Sequence, residues 1–225
     1  AICYAFDYPA MIKIYNGKAI LEDSPFPKGM KGHIPCPNVY RQDVKKAKEY
    51  LAKAGYPNGG FELEYVYVSG LEEERLIGLV LLDNLAQLGI KVNMVPLVWP
   101  NMVARASKME TSPDLMAVFT TPILDDPDVV AVQYHKMSWG KYYGSHFYQN
   151  EKVWDMIEKA RFAVDWKTRQ KLYEQIQIQV MEDAPELFGM LYYRQWAFRK
   201  HVKGFVFSPM RFTSAIDLYP LYIED

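Results

Sequence analysis

Cysteine is scarce in this chain of 225 residues, which contains only Cys3 and Cys36. Two thiols are too few for a disulfide scaffold or for a zinc site with four cysteine ligands. The sequence leaves open whether they pair with each other. A chain of this length therefore has to rest on a hydrophobic core, for which it is long enough.

An excess of charge of either sign is also missing. The 26 lysines and arginines are balanced by 27 aspartates and glutamates, and the basic residues are scattered among the acidic ones. A balanced surface provides no electrostatic field that would attract nucleic acid. We therefore expect no nucleic-acid partner.

No apolar run is long enough to cross a bilayer, and no signal peptide with a charged start and a small-residue cleavage site is present. The sequence begins with AICYAFDY rather than with an initiator methionine. We interpret the chain as a piece of a longer protein, so that the missing signal carries no information about export.

Motifs of catalysis and of tight metal binding are absent as well. The chain contains four histidines: His33, His135, His146 and His201. They show no HxxxH spacing, and the sequence has neither a GxSxG elbow nor a glycine-rich phosphate loop. His33 and Cys36 would offer a metal only two ligands. We expect a protein that is not an enzyme and that holds no cofactor and no metal.

The chain is rich in hydrophobic residues, which make up 50% of it, and these recur periodically along the sequence. Residues 61–68 alternate as a strand, residues 72–88 form an amphipathic helical pattern, and residues 90–97 form a second strand. A short helix over residues 101–108 and a strand over residues 114–119 repeat this unit. Two consecutive βαβ units predict parallel strands whose carboxyl ends lie at one edge of the sheet.

Helix-capping residues, and the glycines and prolines that end helices and strands, predict the elements of the flanking segments. The expected elements are a helix over residues 1–15, a proline-rich loop over residues 24–38, a helix from Asp43 to residue 54, helices over residues 151–164 and 167–183, and strands over residues 186–198 and 205–207 joined by a turn. The predicted fold class is α/β.

A loop rich in proline and aspartate directly follows the third strand. The apolar run of residues 115–119 suits a strand covered on both faces, and TTPILDDP cannot continue it. Ligands of open α/β sheets lie beyond the carboxyl ends of the strands. The aromatic segment, residues 133–150, can add stacking groups. We predict eight ligand-facing residues: Phe119, Thr120, Thr121, Asp125, Tyr134, Trp139, Tyr142 and Tyr143. We also expect one of Tyr142 and Tyr143 to belong to the core.

Several phrases of the sequence, in this order, resemble the C-terminal lobe of the family 5 extracytoplasmic solute-binding proteins, the receptors of ABC importers for peptides, nickel and oligosaccharides. They are AICYAFDYPAMIKIYNGKAI at residues 1–20, the proline-rich loop, DVKKAKEYLAKAGYPNGG at residues 43–60, ARFAVDWKTRQKLYEQIQ at residues 160–177, EDAP at residues 182–185 and FRKHVKGF at residues 198–205. Together they cover nearly the whole chain.

The resemblance implies a periplasmic-binding-protein-like lobe with a parallel-rich sheet flanked by helices. We expect an entry helix and the proline-rich loop in residues 1–42, an α/β core in residues 43–199, and a segment in residues 200–225 that returns toward a missing N-terminal lobe of the same chain. The implied role is to capture a small organic solute between the two lobes and to deliver it to a membrane permease. The implied location is periplasmic or otherwise extracytoplasmic, with a lipid anchor left open.

One motif of the peptide-binding members is not matched. In those proteins the corresponding strand ends in a tryptophan, and an aspartate three residues later binds the ammonium group of the peptide. An ungapped match puts Thr120 and Ile123 at these positions. Isoleucine cannot pair with a buried ammonium group, so we do not expect a peptide held by its amino terminus. Asp125 or Asp126 could supply a displaced carboxylate.

Two other functions remain open at this point. The polar face of the predicted helices in residues 151–183 could dock a partner, which would suit an interaction or sensory binding module. His135 and His146 flank the aromatic segment and could serve a nickel-type or metal-chelate receptor.

Overall fold

Helices and short strands alternate along residues 1–207 and 216–224, the part of the chain that the computed structural model describes. The α-helices are α1 (Ile2–Ala5), α2 (Tyr8–Ile14), α3 (Val44–Lys53), α4 (Glu72–Ala86), α5 (Trp99–Ala106), α6 (Asp128–Ala131), α7 (Glu151–Phe162) and α8 (Trp166–Asp183). The strands are β1 (Ala19–Leu21), β2 (Glu62–Val68), β3 (Lys91–Leu97), β4 (Leu115–Met116), β5 (Met190–Tyr192), β6 (Val202–Lys203) and β7 (Tyr222–Ile223). None of the described helices is both long and apolar enough to cross a membrane.

A parallel sheet with the strand order β3-β2-β4 forms the centre of the α/β part. β2 pairs with β3 along its whole length, from Glu62 opposite Lys91 to Val68 opposite Leu97. On its other side, β2 pairs with β4 through Tyr65 opposite Leu115. The parallel α/β fold predicted from the two βαβ units is confirmed.

The third strand is much shorter than predicted. Only Leu115–Met116 is a strand, and residues 115–119 are half-buried rather than covered on both faces. Among the described strands, β4 has β2 as its only neighbour. One further backbone bond, from Ala117 N to Val66 O at 3.3 Å, follows the strand, and the chain then leaves the sheet.

The predicted helix over residues 1–15 is broken into α1 and α2. Phe6 is extended, with φ −73° and ψ 133°, and its side chain is fully buried. Asp7 N donates to Asn84 Oδ1 at 2.8 Å, a side-chain partner on α4, instead of to a helical carbonyl. Pro9 has no N–H with which to continue the helix. Burial of one phenylalanine therefore overrides the helical pattern.

The C-terminal strands also differ from the prediction. β5 is confined to residues 190–192 and pairs antiparallel with β1. β6 lies where a turn was expected and pairs with β7, whereas residues 205–207 belong to no strand. Of the segment expected to return toward another lobe, residues 208–215 and 225 lie outside the described residues.

The hydrophobic interior consists of two clusters. The sheet core joins the first helices to the parallel sheet, and its buried members are Ala5, Phe6, Tyr8, Met11, Ala47, Leu51, Tyr65, Ile77, Leu81, Leu85, Leu88 and Ile90. The helical core lies around α7 and α8, and its buried members are Phe26, Cys36, Val130, Ala131, Tyr134, Tyr148, Val153, Ile157, Ala160, Tyr173, Ile176, Val180, Met181 and Phe188. Cys3 and Cys36 are both buried and both free thiols.

Candidate ligand-binding site

The carboxyl ends of β2, β3 and β4 lie at one edge of the sheet because the strands are parallel. We call this the carboxyl edge. The chain leaves it through Leu71 before α4, through Val98 and Trp99 into α5, and through residues 117–127, which we call the β4 loop. Leu71, Val98 and Trp99 are exposed. Apolar side chains exposed at such an edge are typical of a ligand-binding surface.

The β4 loop presents apolar and neutral polar side chains. Thr120 is exposed and Thr121 is half-buried. Ile123 and Leu124 follow with exposed fractions of 54% and 57%. At the start of the loop, the half-buried Phe119 packs edge-on against Tyr192, with 5.8 Å between the ring centroids.

The acids at the end of the β4 loop are engaged by neighbouring elements. Asp125 Oδ1 accepts a hydrogen bond of 3.0 Å from Lys31 N in the proline-rich loop. Asp126 Oδ1 accepts from Asp128 N at 2.9 Å and from Arg169 Nη2 at 2.9 Å. Burial alone would raise the pKa of the Asp126 carboxyl, but these hydrogen bonds hold the pKa below its ordinary value. Asp126 therefore fastens the loop to α8.

A first aromatic group forms beside the β4 loop. Tyr192 contacts Phe119 and also stacks on Tyr15, with 5.5 Å between the ring centroids. Burial raises the pKa of Tyr15, and the nearby carboxylate of Glu73 raises it further, which places this group near the first turn of α4. Tyr15 and Tyr192 were not predicted as site residues. Only the pairing of β1 with β5 brings them together, and no local pattern indicates it.

A second aromatic group forms at the end of β3. Trp99 contacts Tyr142 edge-on at 5.2 Å, and Tyr142 contacts Tyr143 at 5.1 Å. Both tyrosines are half-buried, so the expectation that one of them belongs to the core is wrong. Trp99 was missed, although its place directly after a predicted strand could have indicated it.

Two members of the predicted set, Tyr134 and Trp139, form hydrogen bonds within the lobe. Tyr134 is exposed by only 2%, and its hydroxyl donates to Glu186 Oε1 at 2.6 Å. A core residue offers no surface to a solute, which corrects the expectation that Tyr134 faces the ligand. Trp139 is half-buried; its Nε1 donates to Tyr148 O at 3.2 Å, and its ring packs against Trp154.

The structure therefore brings the predicted residues together in separate sets. Within the described ranges, no hydrogen bond or ring contact joins the Phe119–Thr121 part of the β4 loop to Trp139, Tyr142 or Tyr143. The two sets share only their position around the carboxyl edge.

The histidines of the aromatic segment serve its local structure. His135 Nδ1 accepts from Met137 N, and His146 Nδ1 accepts from Tyr148 N. Burial lowers the pKa of His146 to about 4. Within residues 1–207 and 216–224, no group of three or more histidines, cysteines and acids is placed to hold a metal ion.

The sequence matches a known protein family. Residues 1–142 match the model of the bacterial extracellular solute-binding proteins, family 5, middle part. The chain belongs to this family. Its fold is therefore that of a periplasmic-binding-protein lobe.

Individual family 5 proteins show what this chain resembles. It is 29% identical, over 93% of its length, to the "probable D,D-dipeptide-binding periplasmic protein DdpA" of Escherichia coli K12, and it spans 40% of that protein. The structure of the periplasmic binding protein DppA of Helicobacter pylori with the peptide STSA has a TM-score of 0.81 at 24% identity, over 100% of this chain and 43% of that one. The structure of AgaA of Agrobacterium tumefaciens R10 with agropinic acid has a TM-score of 0.78 at 29% identity, over 91% of this chain and 42% of that one.

Proposed function

We propose that the chain is the C-terminal ligand-binding lobe of the substrate-binding component of an ABC importer. In this role it captures a small organic solute together with another lobe and delivers it to a membrane permease. The observation that carries the proposal is the match of residues 1–142 to family 5. This family consists of binding proteins, and we propose that the chain has no catalytic activity of its own.

The proposed ligand surface is the carboxyl edge with its aromatic groups. From the sequence-based set it keeps Phe119, Thr120, Thr121, Asp125, Trp139, Tyr142 and Tyr143. We add Tyr15, Trp99, Ile123 and Tyr192 to the proposed surface because of their contacts or exposure at this edge. Rings at both ends of the edge can stack on a solute, and the threonines can donate and accept hydrogen bonds, which is the usual composition of a small-molecule site.

We propose that the rest of the same protein provides the other lobe, which faces this surface. The chain spans 40% of the length of DdpA. Outside the carboxyl edge, Trp196 packs against Phe205 and Phe207 at 5.3 Å and 5.7 Å, and both phenylalanines are exposed. We propose that these rings, at the start of the returning segment, contact the other lobe.

We also propose an extracytoplasmic location, with a lipid anchor as one form of attachment.

Native mass spectrometry of the full-length protein, purified from its host without denaturation, tests this function. We expect a small organic solute to be bound in a one-to-one ratio and to be lost on mild unfolding. Trp99→Ala should weaken retention, because an aromatic contact at the site is removed. Tyr56→Ala is the control, because Tyr56 is exposed and is remote in sequence from the carboxyl edge. A full-length protein that neither carries a solute nor binds any member of a solute library would refute the proposal.

A further inference from the structure

We infer that the β4 loop makes the receptor select a solute whose end at this loop is uncharged, with Ile123 as the residue that determines this selectivity. The inference rests on the proposed function and names the class of ligand that the same site accepts. It follows from two features of the loop: the carboxylates near its end are hydrogen-bonded within the lobe, and the exposed side chains that precede them are aliphatic or neutral.

Asp125 and Asp126 at the end of the loop, and Asp128 at the start of α6, are committed to structural contacts. Asp125 is bonded to the backbone of the proline-rich loop, where the ammonium group of Lys31 lies 4.0 Å from the centroid of the Trp166 ring. Asp126 receives Arg169, and Asp128 receives Arg161 Nε at 3.0 Å. Each carboxylate is therefore bonded to a partner within the lobe, and two of the three have an arginine beside them. A cationic ligand group would have to compete with these bonds.

Apart from Asp125, which is held by the bond from Lys31 N, the exposed part of the loop carries no charged side chain. Ile123 and Leu124 are more than half exposed, and the polar groups that precede them are the hydroxyls of Thr120 and Thr121. An ammonium group brought against these aliphatic side chains would lose water without gaining an acidic partner, which is unfavourable in a closed cleft. An acylated, amidated or aliphatic end of a solute meets no such penalty.

Two of the three acids in the first turn of α4 have partners within the lobe. Glu72 forms an ion pair with Arg75 at 2.6 Å, and Glu74 Oε2 accepts from Val68 N at 2.7 Å. Glu73 is exposed and lies near Tyr15, in the first aromatic group. Its contribution can be separated experimentally, because Glu73→Gln removes that charge without altering the β4 loop.

The test is calorimetric titration of the full-length protein with an alanine dipeptide and its N-acetyl form. For the wild-type protein we expect the two affinities to agree within about threefold, or neither peptide to bind. In Ile123→Asp, which places a carboxylate at an exposed position, we expect the free dipeptide to bind at least about tenfold tighter than the acetylated one. Leu124→Asp is the matched control for added charge, and melting temperatures report whether the variants fold.

Two results would overturn the inference. One is a wild-type protein that binds the free dipeptide at least about tenfold tighter than the acetylated one, whether or not Glu73→Gln removes the difference. The other is an Ile123→Asp protein that loses affinity for both peptides equally, because Ile123 would then contact the other lobe rather than the ligand. Failure of the proposed function is a different result: no solute is retained in native mass spectrometry, and no library member binds.

Discussion

At the scale of single residues, Gln177 anchors the proline-rich loop, which has almost no secondary structure of its own. Its fully buried amide lies on α8. Oε1 accepts from Ser24 Oγ at 2.7 Å and from Ile34 N at 3.1 Å, while Nε2 donates to Gly32 O and Tyr173 O, both at 2.9 Å. Four hydrogen bonds satisfy the buried amide completely, so its cost of burial is offset.

We predict that Gln177→Leu lowers the free energy of unfolding by about 2 to 4 kcal/mol, because buried groups of the proline-rich loop would lose their partners. Urea unfolding with an unchanged m-value would measure this. Gln179→Leu is the control on the same helix, since within residues 1–207 and 216–224 the Gln179 side chain bonds only to the exposed Asp183. Equal effects of the two substitutions would contradict the role assigned to Gln177.

Glu74 gives the lobe a dependence on pH. Its side chain is exposed by only 2%. Burial raises the pKa of Glu74 to about 7, against the lowering effect of the bond from Val68 N–H, and the neighbouring Glu73 raises it further. The folded-state pKa thus lies above the ordinary value of 4.5 that applies to the unfolded chain. Below pH 4.5 the group is protonated in both states and has no effect on stability.

As the pH rises from 4.5 to about 7, the unfolded state releases the proton first, and folding stability falls. We predict that Glu74→Gln removes about 1 to 3 kcal/mol of this decrease, because Gln can still accept from Val68 N–H but does not ionise. Chemical unfolding at a series of pH values measures the slope. Glu49→Gln, at an exposed position on α3, is the control, and an identical slope in both variants would refute the prediction.

At the scale of elements, the packing of α4 on the sheet depends on a glycine. Gly78 faces β2 and β3, and a Cβ atom there would overlap the ring of Tyr65 and come within 2.7 Å of Met94 Cε. The close approach lets Tyr65, whose hydroxyl donates to Glu74 O at 2.7 Å, pack against the helix. Helix propensity alone would favour alanine at this position.

We predict that Gly78→Ala destabilises the fold by about 1 to 3 kcal/mol, because overpacking outweighs the gain in helix propensity. Thermal unfolding of the variant tests this. Leu79→Ala, which alters the exposed face of the same turn, should change stability by less. A more stable Gly78→Ala protein would show that α4 can move away from the sheet without loss.

At the scale of the whole molecule, the lobe has two cores and no covalent cross-link within the described ranges. Cys3 lies outside both clusters and Cys36 lies in the helical core. Burial raises the pKa of the Cys3 thiol to about 11, and burial also raises the pKa of Cys36. Thiolates are the reactive form, so both groups are protected as long as the lobe is folded.

We predict that neither thiol of the isolated chain reacts with a water-soluble disulfide reagent at neutral pH, and that both react in denaturant. Reaction rates at increasing denaturant concentration should follow the unfolding transition measured by circular dichroism, because exposure of each thiol requires opening of the fold. Rapid labelling of Cys36 under native conditions would show that the helical core opens independently of the rest.

The sequence by itself determined the central sheet and most of the helices. Alternation over residues 61–68 and the helical period that follows predict a parallel βαβ unit from neighbours in the chain alone. Asp43 caps α3 through a bond from Lys46 N at 3.0 Å, as its position predicts. These features depend on local patterns, which is why they could be predicted from the sequence. Several sequence segments that resemble family 5 proteins, in the same order, likewise indicated the family to which the chain belongs.

Only the tertiary structure decided which aromatic side chains meet at the carboxyl edge. Tyr15 and Tyr192 are joined by the pairing of β1 with β5, and Trp99 meets Tyr142 because the aromatic segment packs beside α5. The burial of Tyr134, and the engagement of Asp125 by the proline-rich loop, also depend on residues far away in the chain. Contacts of this kind leave no periodic trace in the sequence, because each is fixed by the docking of two separate elements rather than by either one alone.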